Sequence, residues 1–145
     1  MSQSCLDKQA SIKELFKDCK TPEAKYQKII ELGRKQPRLN SKDKVESNLV
    51  KGCQSQMYLC TTLCGDKVIF NTESDALISS GLATLLCKVY SDETPETILK
   101  CPPTYLEELG ISESLSPNRA NGLYSLHLRM KQDALRLCTD KGCCC

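Results

Sequence analysis

The run Met57-Tyr58-Leu59-Cys60-Thr61-Thr62-Leu63-Cys64-Gly65-Asp66-Lys67-Val68-Ile69-Phe70-Asn71 settles the architecture of the chain. Met57, Leu59, Thr61 and Leu63 alternate with Tyr58, Cys60, Thr62 and Cys64, the period of two that an extended strand imposes. Gly65-Asp66 suits a two-residue hairpin turn, because glycine reaches positive φ without steric cost, and Lys67 to Asn71 is the returning strand. Both faces of the first strand carry apolar residues, which predicts a central strand. Upstream, Asn48-Leu49-Val50 reads as a further short strand, so the runs form a short antiparallel meander.

Helical patterns flank this meander on both sides. Ser11 to Lys17 reads as a short helix. Thr21-Pro22-Glu23 opens a firmer one, since Thr21 can cap it, Pro22 suits the first turn and Glu23 complements the positive helix end; Pro37 ends it. Thr72 to Asp75 resembles the capped start of a core helix whose apolar face includes Leu77, Ile78, Gly81, Leu82, Leu85, Leu86 and Val89. Shorter helices follow Thr94-Pro95-Glu96 and span Tyr105 to Leu109. The last begins at Ser116-Pro117, with Leu123, Leu126, Met130, Ala134 and Leu137 at three- and four-residue steps. Helices, then an antiparallel meander, then helices is the order of an α+β domain, and 145 residues make one such domain, spanning 1–145 with a frayed N-terminus and a Cys-rich tail over 138–145.

Composition excludes several functions. Lys and Arg number 20 against 18 Asp and Glu, a net charge of +2 scattered along the chain, so no basic stripe for nucleic acid or an anionic membrane is present. The first residues lack the apolar run of a secretory signal, and the first Arg is Arg34, which argues against an organellar transit peptide; the reading is a cytosolic protein. Eleven cysteines, an odd number without an export signal, fit free thiols, most of them packing residues. With one histidine, His127, between Leu126 and Leu128 of the last helix, a Cys-His hydrolase is not supported. Cys60 and Cys64 lie about 13 Å apart on an extended strand, too far to share one zinc ion. Cys143, Cys144 and Cys145 read as a tolerated tail.

Cys53 is the exception. It follows Gly52 in a polar loop, and Gln54, Ser55, Gln56 and nearby N-H groups are candidate donors to a sulfur anion. That pattern indicates a reactive thiol without naming the reaction.

The motif Asn48-Leu49-Val50-Lys51-Gly52-Cys53-Gln54-Ser55-Gln56 resembles the signature of the SufE-like sulfur acceptors, partners of cysteine desulfurases in iron-sulfur cluster assembly. The likeness extends to Tyr26, Ile29, Ile30, Leu32, Gly33, Pro37 and Leu39, to Ser74-Asp75-Ala76 with Ile78, Gly81 and Leu82, and to Leu115-Ser116-Pro117 with Arg119, Asn121, Gly122 and Leu123. It covers about Tyr26 to Met130. Met57-Tyr58 stands where the family has Val-Trp, and Ser125-Leu126 where Ala-Met is common.

The resemblance implies a sulfur carrier and activator with no catalysis of its own and no cofactor beyond a transient persulfide on Cys53. The partners it implies are a pyridoxal-phosphate cysteine desulfurase of the SufS type and a SufBCD-like scaffold complex. It also implies supporting roles: Gly52 lets the loop swing, Gln54 and Ser55 belong to the loop, Asp75 holds it, and Arg119 serves the desulfurase interface. An iron-sulfur scaffold or metal-binding protein using several thiols is the alternative.

Overall fold

The hairpin comes first in the physical account. In the computed structural model, which describes residues 2–140, β1 (Met57–Cys64) pairs antiparallel with β2 (Lys67–Ser74), from Met57 opposite Ser74 to Cys64 opposite Lys67. Gly65 has φ 65°, the left-handed conformation the tight turn requires. Met57, Leu59, Val68, Phe70 and Thr72 are buried on the inner face, and Tyr58, Cys60, Thr62 and Cys64 stay half-buried or exposed. Among the described residues the sheet has two strands, so the expectation of a central strand is corrected. The half-burial of Tyr58 and Cys60 owes nothing to a third strand; the bridge from Leu49 to Tyr58 and the Asp43 carboxylate beside Cys60 cover them.

The expected strand over 48–50 shrinks to that bridge, and Glu46–Asn48 form a single 3-10 turn. The cause is a competing partner. Arg129 donates from Nη1 to the Leu49 carbonyl at 3.0 Å and from Nη2 to the Ser47 carbonyl at 2.6 Å, engaging acceptors that a ladder would use. Thr72 to Asp75 is likewise no helix cap, because β2 runs through Ser74. Thr72 accepts from Gln36, and Glu73 is held by Lys44 at 2.7 Å and by the Leu39 N-H at 2.8 Å. Those contacts also hold the Glu73 carboxyl below its usual range.

The central element is α3 (Leu77–Tyr90), and the other α-helices are α1 (Gln3–Leu15), α2 (Pro22–Arg34), α4 (Pro95–Lys100), α5 (Thr104–Glu108) and α6 (Pro117–Asp140), on which α4 packs. Thr21 caps α2 through the Ala24 N-H at 3.1 Å, with Pro22 in the first turn as the sequence predicts. α3 touches α1, α2, α6 and β2, and Leu82, Ala83, Leu85, Leu86, Val89 and Tyr90 on it are fully buried. α2 crosses α3 at Gly33 and Gly81, where backbone meets backbone: a β-carbon at Gly33 would sit 2.6 Å from the Gly81 nitrogen. On α6, Leu123, Leu126, Met130 and Ala134 face the core.

The N-terminus departs from expectation. α1 begins at Gln3, earlier than Ser11, and is fastened instead of frayed: Cys5 and Ile12 are buried, Ser4 and Lys8 reach the buried Glu93 at 2.8 and 2.6 Å, and Gln9 donates to the Pro102 carbonyl at 3.0 Å. Cys5 is disulfide-bonded to Cys101, 96 residues on, which corrects the reading of all cysteines as free thiols. Both are buried, and the packing of α1 against the segment after α4 brings together sulfurs that no spacing rule in the sequence pairs. Cys143, Cys144 and Cys145 lie outside the described residues.

Candidate functional site

Cys53 occupies the tip of a loop whose two legs are fixed and whose tip is lightly held. At the base, the Val50 N-H donates to the Met57 carbonyl at 2.8 Å, closing residues 51–56 into a short excursion. Arg129 fastens the incoming leg to α6, and its Nε pairs with Asp133 at 3.2 Å. Asp133, only 3% exposed, also accepts from Thr61 of β1 at 2.7 Å and from Arg136 at 3.2 Å. A buried carboxylate with this many donors is compensated, and it ties hairpin, loop leg and helix into one unit. On the outgoing leg, Asp75 Oδ1 accepts from the Gln56 N-H at 3.1 Å while the Asp75 N-H donates to the Gln56 carbonyl at 3.3 Å. Ser55 and Ser79 hydroxyls meet at 2.8 Å.

The tip itself rests on the N-terminal half of α6. Cys53 Sγ donates to the Gly122 carbonyl at 3.5 Å, an ordinary length for the weak S-H donor, and the side chain is half-buried. Gly52 has φ 91°, and a β-carbon there would press on the Ser125 hydroxyl. Burial pushes the Cys53 thiol above its ordinary pKa. The docked loop therefore stores the protonated thiol, and the candidate donors Gln54, Ser55 and Gln56 make no hydrogen bond to the sulfur. Gln54 is exposed, and the other two polar groups are committed to Ser79 and Asp75.

Beside Cys53 opens a cavity of about 330 Å³ between the loop, the start of α3 and the first turns of α6. Gln54, Ser55 and Arg119 line it, so the structure brings four of the sequence-predicted residues around one space; Gly52 and Asp75 act on the loop from outside it. Arg119 lies over the Tyr26 ring at 5.6 Å, a cation-π arrangement that holds the guanidinium at the rim. His127 is not part of this site: its ring packs against Tyr90 at 5.1 Å, and burial, with Lys131 adding to it, lowers its pKa to about 4. Cys87, fully buried, is pushed up to about 12 by desolvation and is inert. Among the described residues no three His, Cys, Asp or Glu side chains converge as a metal site, and no described helix is long and apolar enough to cross a membrane.

A model of the SufE family, an Fe-S metabolism associated domain, matches residues 10–134. The chain belongs to the SufE family. It is 33% identical over 126 residues to an uncharacterised SufE-like protein of Synechocystis sp., covering 87% of this chain and 79% of that protein. It is 35% identical over 127 residues to SufE-like protein 1, chloroplastic/mitochondrial, of Arabidopsis thaliana, of whose length the chain spans 34%. The solution structure of a hypothetical protein from Thermus thermophilus superposes with a TM-score of 0.74 at 28% identity, covering 91% of this chain and 96% of that one. The SufE family assignment gives this chain a role in Fe-S metabolism, and the mixed architecture is that of its structural neighbour.

Within this SufE domain, the sequence alone assigned no role at the site to Ser79, Gly122, Ser125, Arg129 or Asp133. The Arg129–Asp133 pair at a four-residue step was a visible helical ion pair, but its target, the carbonyls of Ser47 and Leu49, is a tertiary contact. The close approach at Gly52 carries a prediction. Gly52→Ala introduces strain of about 1–2 kcal/mol into the docked loop, enough to shift its docked population by roughly 5–30-fold. Iodoacetamide is expected to alkylate Cys53 faster in that variant by a factor in this range, and Ser125→Gly combined with it restores part of the docking. An unchanged rate removes the close packing at Gly52 as what holds the tip.

Proposed function

We propose that Cys53 accepts sulfur from the persulfide of a pyridoxal-phosphate cysteine desulfurase of the SufS type, stimulates that enzyme by clearing its cysteine, and passes the sulfur to a SufBCD-like iron-sulfur scaffold. The observation that carries this reading is the loop: a thiol held half-buried by one hydrogen bond from a weak S-H donor, on a tip whose base is clamped at Val50–Met57, Arg129 and Asp75. Such a tip swings out without unfolding its legs. Undocking removes the desolvation that keeps the thiol protonated, so the nucleophilic thiolate forms where a donor is present.

The chemistry is a thiol exchange. The Cys53 thiolate attacks the outer sulfur of the donor's persulfide, a new S-S bond forms at Cys53 while the donor's S-S bond breaks, and the donor cysteine leaves as a thiolate. Nothing is oxidised or reduced overall, and the carrier needs no cofactor of its own. Redocking then returns the persulfide to the wall of the cavity. Arg119 and Tyr26, at the rim, belong to the surface that meets the desulfurase.

The alternative, a cluster scaffold, requires converging ligands. Cys60 and Cys64 occupy the outer face and the end of β1, and Cys60 faces Asp43 instead of another thiol. The test is to mix the protein with a cysteine desulfurase and a single equivalent of cysteine, so that no free thiol remains after turnover, quench at once with an alkylating agent and map each cysteine peptide by mass spectrometry. The expected result is one added sulfur on Cys53 that reductant removes; sulfur confined to Cys19, Cys60 or Cys64 defeats the assignment.

A further inference from the structure

The space beside Cys53 is larger than a single transferred sulfur needs. Its volume of about 330 Å³ is roughly ten times the ~30 Å³ share of one water molecule. Met57, Ile78, Leu82 and Leu123 give it an apolar floor, and no Asp or Glu lines it. At the rim Arg119 stacks on Tyr26, and among the described residues no carboxylate pairs with its guanidinium. Asn118 and Arg119, in the first turn of the 24-residue α6, line the same rim. A thiol in the wall, an apolar floor, a cation that Tyr26 positions and no carboxylate neutralises, and no anion form a site for a small molecule carrying a carboxylate.

We propose that this cavity binds a small thiol carboxylate of the cysteine class, which discharges Cys53 as a diffusible sulfur acceptor. The inference rests on Cys53 being a persulfide carrier. The carboxylate pairs with Arg119, the carbon chain lies on the apolar floor, and the thiolate reaches the persulfide from the cavity side. It attacks the outer sulfur of Cys53-S-S-H; a bond forms between the two sulfurs, the bond to Sγ breaks, and Cys53 leaves as a thiolate. The proton stays on the transferred sulfur, the product is a small-molecule persulfide, and no net oxidation occurs. A cysteine inside a polypeptide carries no carboxylate on its own Cα, so this subsite serves the free small molecule.

Two arms on the full chain test it. In the first, iodoacetate and iodoacetamide alkylate the protein, and Cys53 is compared with the exposed Cys64 in the same sample. The ratio of the anionic to the neutral reagent's rate is expected to be about three- to fivefold higher at Cys53 at low ionic strength. It converges on the Cys64 ratio in about 0.5 M salt, where screening shortens the reach of the charge, and in Arg119→Gln. In the second, Cys53 is loaded with polysulfide and discharged with L-cysteine or with cysteamine, its analogue without the carboxylate; L-cysteine is expected to be faster by a similar factor, and Arg119→Gln removes the preference. Equal ratios at Cys53 and Cys64, or equal discharge by the two thiols, overturn the proposal. Failure of Cys53 to take up any sulfur overturns instead the carrier reading beneath it, with the alkylation arm still reporting whether the cavity favours anions.

Discussion

Gly81→Ala is expected to destabilise the fold by about 3 kcal/mol or more, the upper end of what overpacking costs. Helix propensity points the other way, since alanine is favoured over glycine inside a helix by roughly 1 kcal/mol. Geometry decides between them. A β-carbon at Gly81 would overlap the Ile29 carbonyl group, lying 2.6 Å from its carbon, and would press on the Ile29 side chain. The partner atom is backbone in the middle of α2, so no rotamer change relieves the contact; α2 and α3 must move apart, and with them the buried Ile29, Leu32, Ile78 and Leu82. For a chain of this size the loss lowers Tm by roughly 10 °C. Gly65→Ala is the control. Unlike the helical Gly81, Gly65 has positive φ, and nothing lies within 4 Å of its β-position, so only backbone strain of about 1 kcal/mol applies. Thermal unfolding of the two variants side by side checks the argument, and equal losses refute the close crossing.

Local chemistry made much of this molecule legible. The Thr21-Pro22 helix start, the Gly65-Asp66 turn and the apolar face of α6 follow from propensity, φ requirements and periodicity, and each appears where those rules put it. Gly81 was legible only as one position on an apolar face. That it is the contact point of two backbones depends on the crossing of α2 and α3, which no local pattern encodes. The errors have the same origin. Asn48-Leu49-Val50 carries strand-forming residues, yet Arg129, some 80 residues away, takes the carbonyls at 47 and 49. Thr72 to Asp75 carries capping residues, yet Gln36, Lys44 and Gln56 engage them first. In the site, residue identity singled out Cys53, and resemblance to the family supplied Asp75 and Arg119. The supporting surface of Ser79, Gly122 and Ser125 consists of small residues whose meaning lies in what they leave room for. The surplus of polar donors around Cys53 misled for a related reason: Ser55 and the Gln56 N-H are taken by Ser79 and Asp75, Gln54 is exposed, and the sulfur faces a carbonyl.

Cys53→Ser is expected to abolish persulfide formation at position 53 and to reduce desulfurase stimulation by at least tenfold, equivalent to losing about 1.4 kcal/mol of transition-state stabilisation or more. Stability stays within about 1 kcal/mol of wild type, because the serine hydroxyl occupies the same half-buried place and can donate to the Gly122 carbonyl. The contrast separates chemistry from docking: an adaptor that stimulates its partner by contact alone keeps its effect in Cys53→Ser, whereas a carrier loses it. The wild-type thiol supplies an independent check through pH. A thiol whose pKa is raised remains protonated at pH values where an ordinary one has ionised, so alkylation of Cys53 in the isolated protein rises with a midpoint above the usual value of about 8.5. Anything that undocks the tip removes the desolvation and moves that midpoint down, so Gly52→Ala and a bound desulfurase are both expected to lower it. A midpoint that stays fixed when the partner binds contradicts the swing of the loop, because the thiol would then be reacting from the docked position, where burial and the Gly122 carbonyl both favour its protonated form.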